Sequence, residues 1–430
     1  MTLKRHRLLT LTALPGLLLG LLFFTFSCED TPPEIEYTPI VAAHGFLGGG
    51  DTYANFFSWW RGGGVPEDRL YAFDYNSFSD DAIILSSLDA FIDDVLARTG
   101  AEKVHLMGHS KGGGIGYSYL SDPAQAAKVD RYVHIGSFAE TGPAGSAQEI
   151  PTLNVWSSED LVIDAPGEIP GAENAKIEGA DHYEVATSPE SFQAISSFLY
   201  GVNFSVAGAF AEVEIAGKVV SLGENGSPSN GNLDIYEVDP ATGQRGSVSP
   251  IANFTISSDG LWGPLTVNTG STYEFEVTAG GRKIHYFREP FDADNNLVYL
   301  RTIPPPITLT GILLAGLPQD DGQSVVTVFS SNRAVINGRD NLTVNGYDLA
   351  RPDIASAEQT TIAYFLYDDG DMSSSEAVDS TFAEFPFLSG VDLYFQTSTP
   401  ETITLEYNGR SLNLPNLPSG TEGPVVAVFE

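Results

Sequence analysis

The chain has 430 residues, 42 % of them hydrophobic, and a formal net charge of −35. That length exceeds one ordinary domain, and that apolar content can fill real cores. The charge excludes nucleic acid as a partner, because a phosphate backbone would be repelled, and its simplest reading is a solubilising surface.

Lys4, Arg5 and Arg7 precede an almost wholly apolar run from Leu8 to Ser27, the pattern of an export signal over residues 1–27. Cys28 follows, and as the chain's single cysteine it forms no internal disulfide. Its position after Thr25-Phe26-Ser27 resembles the lipobox of bacterial lipoproteins, although Phe26 stands where that box carries a small residue. The resemblance implies a lipidated Cys28 and membrane association. An uncleaved anchor helix and a plain signal peptide are the other readings. All three place the folded part outside the cytoplasm, in the cell envelope or secreted. Residues 28–38, rich in Pro and Glu, read as a tether.

From residue 39 to 202 apolar strands alternate with helical patterns. Pro39–Ala43 is a short strand that runs into His44-Gly45-Phe46-Leu47-Gly48-Gly49-Gly50. Tyr53, Phe56, Phe57 and Trp60 recur at helical spacing, and Arg69–Tyr75 reads as the next strand. Ile84, Leu88, Phe91, Ile92 and Val95 mark one face of a helix from Asp80 to Arg98, with Gly100 as its stop. Strand Lys103–Gly108 leads into a helix from Lys111 to Leu120. Further strands are expected at Arg131–Ser137, Thr152–Ser158 and Ala175–Glu178, then a final helix from Pro189 to Tyr200. This alternation predicts an α/β fold, a mostly parallel sheet covered on both faces by helices.

In such sheets function sits beyond the carboxyl ends of the strands. Gly108-His109-Ser110-Lys111-Gly112 fits G-x-S-x-G, the pattern of a serine on a sharp strand-to-helix turn. Alone it is weak. Its weight comes from the other strand ends, which carry His44-Gly45-Phe46, Glu159-Asp160 and Gly179-Ala180-Asp181-His182 in chain order. Serine, carboxylate and histidine in that order suit an acyl-transfer triad. Ser110 needs a base to become a nucleophile. His182 can take its proton and return it to the leaving alcohol. Asp160 would hold the imidazole tautomer. The amides of Phe46 and Lys111 would stabilise the oxyanion.

The stretch from Pro39 to Tyr200 resembles the small bacterial lipases of the Bacillus type and related α/β-hydrolase lipases. The matching residues are Val41–Phe46, Arg69–Asp74, Gly100–Val104, Gly108–Gly113, Ser157–Val162 and Gly179–His182. The resemblance implies hydrolysis of carboxylic esters, often long-chain acylglycerols, through an acyl-enzyme and without an organic cofactor. It maps the triad aspartate to Asp160 and the histidine to His182.

Glu159 and Asp164 are rivals of Asp160. Asp181 reads as a solvated loop residue, and the Lys111 side chain as a solvated helix start. His44 is expected to shape the oxyanion loop rather than move a proton. Phe46, Phe56, Phe57, Trp59 and Trp60 could line an acyl pocket, although aromatics at helical spacing usually fill a core. No long amphipathic lid is visible. Either residues 161–174 arch over the site, or the site is open, or another domain covers it.

Beyond Gly201 the pattern changes to alternation with a period of two. Runs at Ala211–Ile215, Asn232–Val238, Ala252–Ile256, Thr272–Val277 and Lys283–Phe287 predict a β-sandwich or barrel over 203–303. After Pro304-Pro305-Pro306 a second β-rich domain over 304–430 is expected, with strands at Ser324–Phe329, Thr361–Tyr367, Val391–Phe395 and Thr402–Tyr407. Leu233–Tyr236, Tyr273–Phe275 and Ile284–Phe291 in this arrangement resemble the C-terminal β region of larger archaeal-type lipases. There the β region supports binding of long-chain lipids; a structural or adhesive accessory domain is the plainer reading. Asp292-Ala-Asp294-Asn295 and Asp368-Asp369-Gly370-Asp371 are the places for a structural calcium, although neither continues as a full EF-hand loop.

The expected function is therefore that of a serine ester hydrolase acting on lipid or ester substrates. An extracellular polyester depolymerase and a non-catalytic surface-binding lipoprotein on a hydrolase scaffold are the alternatives. Acyl chain-length preference and oligomeric state are not legible in the sequence.

Overall fold

The strands β1 (Ile40–Ala43), β2 (Leu70–Phe73), β3 (Val104–His109), β4 (Val129–Ile135), β5 (Thr152–Trp156) and β6 (Glu173–Lys176) pair in parallel in the order β2-β1-β3-β4-β5-β6. Helix α1 (Ala54–Gly62) lies between β1 and β2, α2 (Asp81–Thr99) between β2 and β3, and α3 (Lys111–Leu120) and α4 (Pro123–Ala126) between β3 and β4, while α5 (Glu184–Thr187) and α6 (Pro189–Tyr200) follow β6. This is a computed structural model, describing residues 36–206, 210–228, 230–398 and 401–430. The expected signal and Cys28 lie outside the described residues. No described helix is long and apolar enough to cross a membrane.

Side chains alternate across each strand, so β1 serves two cores. Ile40 and Ala42 pack with Phe56, Phe57 and Trp60 of α1 and with Phe192 and Ile195 of α6. Val41 and Ala43 pack with Ile84, Leu88 and Ile92 of α2 and with Ile115 and Tyr119 of α3. The aromatic run of α1 is thus core, apart from half-buried Trp59, and Trp60 donates from Nε1 to Ser196 Oγ at 2.9 Å. Helices α2 and α6 both end on a glycine in the left-handed region, Gly100 (φ 68°) and Gly201 (φ 70°).

The strand order fixes where the site forms. From β1 the chain crosses to β2 on one side and returns to β3 on the other, so β1 and β3 are neighbours, with Ala43 opposite Gly108. The loops after these two strands leave the sheet side by side, at a topological switch point.

The β region begins with β7 (Glu212–Ser221), β8 (Gly231–Val238), β9 (Ala252–Ile256), β10 (Leu261–Asn268), β11 (Thr272–Ala279), β12 (Arg282–Arg288) and β13 (Asn295–Thr302), followed by a short helix, α7 (Leu309–Leu314). The strands β10, β7 and β13 form a three-stranded sheet. The expected two β segments share a second, nine-stranded sheet. In it β12, β11, β8 and β9 continue from Val425–Phe429, Val326–Ser330, Ala363–Tyr367, Leu388–Asp392 and Val378–Asp379. The strand Val425–Phe429 lies between β12 and Val326–Ser330, parallel to both. Strands Tyr347–Asp348, Leu342–Val344, Thr402–Tyr407 and Arg410–Pro415 make a four-stranded antiparallel sheet.

Residues 37–430 form one compact unit. Val220, Leu297 and Tyr299 of the β region enter the same buried cluster as α1 and α6. The β region is therefore packed against the parallel sheet's helices rather than strung behind it.

Candidate active site

Ser110 sits between β3 and α3 with φ 52° and ψ −119°. A non-glycine residue in that region stores strain of about 1–3 kcal/mol and persists only where its surroundings impose it. Here the surroundings are two glycines. A Cβ on Gly108 would lie 2.3 Å from the Gly112 carbonyl oxygen, and one on Gly112 would lie 2.4 Å from that of Ala43. Strand and helix approach too closely for any other residue. The Ser110 backbone is held by Ile135 O, which accepts from its N–H at 3.0 Å, and by Ser137 Oγ, which donates to its carbonyl at 2.7 Å. Ser110 itself is half-buried.

His182 and Asp160 meet as expected. His182 Nδ1 donates to Asp160 Oδ2 at 2.9 Å, and both residues are buried. Asp160 Oδ1 accepts from the N–H groups of Val162 (3.1 Å) and Ile163 (3.4 Å). The rivals stand elsewhere. Glu159 is exposed, and hydrogen bonds from Ser158 above all hold its carboxyl below the usual range. Asp164 is exposed. His109, next to the serine, sets its ring 4.7 Å from that of His182 at a tilt of 43° and pairs Nε2 with the His182 carbonyl at 2.8 Å. Residues 161–174 are tied to the sheet edge: Asn154 Nδ2 donates to Gly167 O, and Asn174 accepts from Ile169 N–H.

The loop after β1 borders the serine. A Cβ on Gly45 would lie 3.1 Å from Ser110 Cβ. His44 shapes this loop. It is fully buried, stacked on Tyr75 at 4.1 Å, and pairs Nδ1 with Gly45 O at 2.7 Å. Its Nε2 accepts from Tyr75 N–H at 3.1 Å, so Nδ1 carries the hydrogen. Burial lowers the affinity of this ring for a second proton. The Lys111 side chain is not solvated as expected. Its ammonium donates to Ser77 O at 2.9 Å, and Ser77 Oγ accepts from Leu47 N–H at 2.9 Å, which braces the same loop.

Asp181 also departs from expectation. It is 1 % exposed, and its carboxylate accepts from the N–H groups of Tyr183 and Glu184 and from two groups of the β region, Ala334 N–H (3.0 Å) and Arg339 Nη2 (2.9 Å). It anchors the histidine loop to the β region. A second set of contacts anchors the loop after β1. Arg301 makes a two-pronged pair with Asp51, at 2.7 Å on both arms. Asp74 accepts from Gly50 N–H, Tyr299 Oη and Lys218 Nζ. Asn225 donates to Gly48 O at 2.8 Å. None of the β-region partners was singled out by the sequence. Gly223-Glu224-Asn225-Gly226 has the composition of a turn, but nothing in it names what the turn touches.

Between the β region and the loop after β1 lies an apolar cavity of about 160 Å³. Phe46 and Tyr183 border it from the α/β side, and Leu314, Phe365, Phe387 and Leu388 from the β side. Phe46 is 40 % exposed and meets Phe387 edge-on at 6.3 Å. The β region thus covers this flank. Of the two acidic stretches, the second brings Asp368 and Asp369 together with Asp392, while Asp368 accepts from Gly370, Met372 and Ser373 N–H groups of its own loop. In the first, Asp294 accepts from Glu214 N–H.

Four buried histidines set an acid limit. Burial lowers His44, pulls His109 well down, and brings His105 and His134 to about 4. Unfolding frees each ring to protonate from about pH 6.5. Stability is therefore complete above pH 6.5 and falls as pH drops from there towards 4, by on the order of 3 kcal/mol each for His105 and His134. Urea midpoints are expected to fall steeply between pH 6.5 and 4.5. A flat profile over that range would contradict neutral burial of these rings.

Residues 211–305 match the family model described as the lipase C-terminal domain, and residues 327–429 match a second model of a C-terminal domain. A triacylglycerol lipase of Pseudarthrobacter phenanthrenivorans is 38 % identical over 93 residues, covering 20 % of this chain and 28 % of that protein. Mouse gastric triacylglycerol lipase is 38 % identical over 64 residues, 15 % of this chain and 16 % of its own length. The aligned part is thus under a third of each relative. The structure of Bacillus licheniformis lipase BlEst2 aligns with a TM-score of 0.32 at 15 % identity, over 39 % of this chain and 94 % of that one.

Proposed function

We propose that this lipase-like α/β-hydrolase, with its C-terminal β region, is a serine ester hydrolase that cleaves acyl esters through an acyl-enzyme on Ser110. The observation that carries the reading is the strained Ser110 turn beside a buried His182–Asp160 pair. Ser110 Oγ attacks the ester carbonyl carbon while His182 Nε2 takes its proton. The carbonyl electrons move onto oxygen, and the N–H groups of Phe46 and Lys111 receive that oxyanion. Collapse breaks the bond to the alcohol, which leaves with the proton from His182. Water then repeats the cycle on the acyl-enzyme, releasing the acid. Asp160 keeps the imidazole in the tautomer that can accept at Nε2.

The apolar cavity beside Phe46 suits the acyl chain, which favours acylglycerols over small acetyl esters. A fluorophosphonate probe is expected to label wild-type protein at Ser110 and to leave Ser110→Ala unlabelled. Failure of labelling, with no turnover of any p-nitrophenyl ester, would instead indicate a binding protein on a hydrolase scaffold. Leu314 lines the cavity and is buried. Leu314→Phe is expected to lower kcat/KM for palmitate esters about 10-fold and to spare butyrate, since one or two methylenes of pocket space are worth that much. Equal losses on both would place the acyl chain elsewhere. Faster release of acid from polyester film than from triglyceride would favour the depolymerase alternative.

A further inference from the structure

Asn225 belongs to the turn after β7, yet its side chain reaches the loop after β1. It holds a left-handed backbone at φ 54°. Its amide nitrogen lies 2.8 Å from Gly48 O, 3.1 Å from Tyr75 O and 3.2 Å from His44 Nε2. All three are acceptors, so the two amide hydrogens are fully used. One goes to Gly48. The other lies between Tyr75 O and His44 Nε2.

This contact bears on the reaction through one peptide plane. With Asn225 and Tyr75 N–H both facing Nε2, the His44 ring must carry its hydrogen on Nδ1, which donates to Gly45 O at 2.7 Å. Gly48 N–H donates to the same carbonyl at 3.1 Å. In a trans peptide the following N–H points opposite to the carbonyl. Fixing Gly45 C=O on His44 therefore turns Phe46 N–H the other way. Gly45 is the residue whose Cβ would touch Ser110 Cβ.

We propose that Asn225 is a positioning residue of the oxyanion hole, acting from the β region through His44 to aim the Phe46 N–H. The proposal rests on the reading of the site as an ester hydrolase. It makes the β region part of the catalytic apparatus, not a separate lipid-holding module. A carboxylate at this position has no hydrogen to give, so it would be repelled by Gly48 O and Tyr75 O and would no longer donate to His44 Nε2. The ring, held at Nε2 by Tyr75 N–H alone, would then lose the second contact that fixes the direction of its Nδ1–H towards Gly45 O.

The test uses full-length Asn225→Gly and Asn225→Asp, because glycine and aspartate both tolerate the left-handed backbone. With p-nitrophenyl butyrate, kcat is expected to fall on the order of 10²-fold in Asn225→Asp, by analogy with loss of an oxyanion donor, and less in Asn225→Gly. KM is expected to stay within about twofold, and the Ki of a boronic acid transition-state analogue to rise in step with the loss of kcat/KM. A merely structural role would lower the melting temperature and leave kcat, KM and Ki of the folded protein unchanged; that result overturns the proposal. A second readout does not need turnover. In protein labelled with ¹⁵N-histidine, His44 is expected to be protonated on Nδ1 in wild type, with its Nε2 resonance shifted in Asn225→Asp, where one of the two donors to that nitrogen is lost. An unchanged His44 signal also overturns the proposal. Absence of Ser110-dependent turnover in wild type would remove the ester-hydrolase reading and this proposal with it. Normal wild-type turnover with unaltered kcat in both variants would remove this proposal alone.

Discussion

Ser110→Ala is expected to lower kcat on p-nitrophenyl butyrate by roughly 10⁴- to 10⁶-fold, the range seen when a triad nucleophile is removed. What survives comes from the oxyanion donors and from substrate binding, which need no hydroxyl. The fold should not change, because alanine adds no atoms and the turn is imposed by Gly108 and Gly112. A melting temperature within a few degrees of wild type therefore accompanies the lost rate. Equal rates in the two proteins would refute the nucleophile.

The second large effect is expected at Asp160. Its Oδ1 is held by the N–H groups of Val162 and Ile163, and its Oδ2 faces His182 Nδ1. In Asp160→Asn the amide oxygen must stay with those two donors, so the new NH₂ points at His182. It can only donate, which forces Nδ1 to accept and puts the ring hydrogen on Nε2. The nitrogen proposed as the base then carries a hydrogen and cannot take one from Ser110. A fall of about 10⁴-fold in kcat is expected with little change in KM. Glu159→Gln should leave kcat within about threefold, since that carboxylate is exposed and bonded to Ser157 and Ser158. A larger loss from Glu159→Gln than from Asp160→Asn would reverse the assignment.

How much of this was legible depended on sequence distance. The Ser110 turn is local: two glycines four residues apart, an apolar strand before and a helix after. The parallel sheet followed from alternation of strand and helix patterns, and helix α6 has the bounds its Pro189 and Gly201 predict. Asp181 was misjudged because a lone aspartate beside the candidate triad histidine looks solvated, and its partner Arg339 lies 158 positions away. The same distance hid Asn225 and Arg301. In the β region, Ala252–Ile256 and Thr402–Tyr407 have the bounds their alternation predicts. Strand β10 did not stand out, because Gly263 and Pro264 interrupt its pattern. Strand β13 did not either: its middle is buried on both faces, so polar residues do not alternate with apolar ones. The run expected at Val391–Phe395 forms its strand three residues earlier, at Leu388–Asp392, where it pairs with Ala363–Tyr367. The helix α7 was missed because six residues are too few to show a helical period.

The strand Val425–Phe429 has a consequence for how the molecule is made. It is the seam of the nine-stranded sheet, hydrogen-bonded on one edge to β12 and on the other to Val326–Ser330. Its partners on both sides are synthesised roughly a hundred residues or more before it. Until residue 429 is available, two half-sheets wait with open edges, and closing them requires slow, long-range pairing. The parallel sheet, by contrast, pairs segments that all lie within residues 40–176. In a growing chain Ser110 and His182 are thus both present long before Val426 and Val428, which line the apolar cavity.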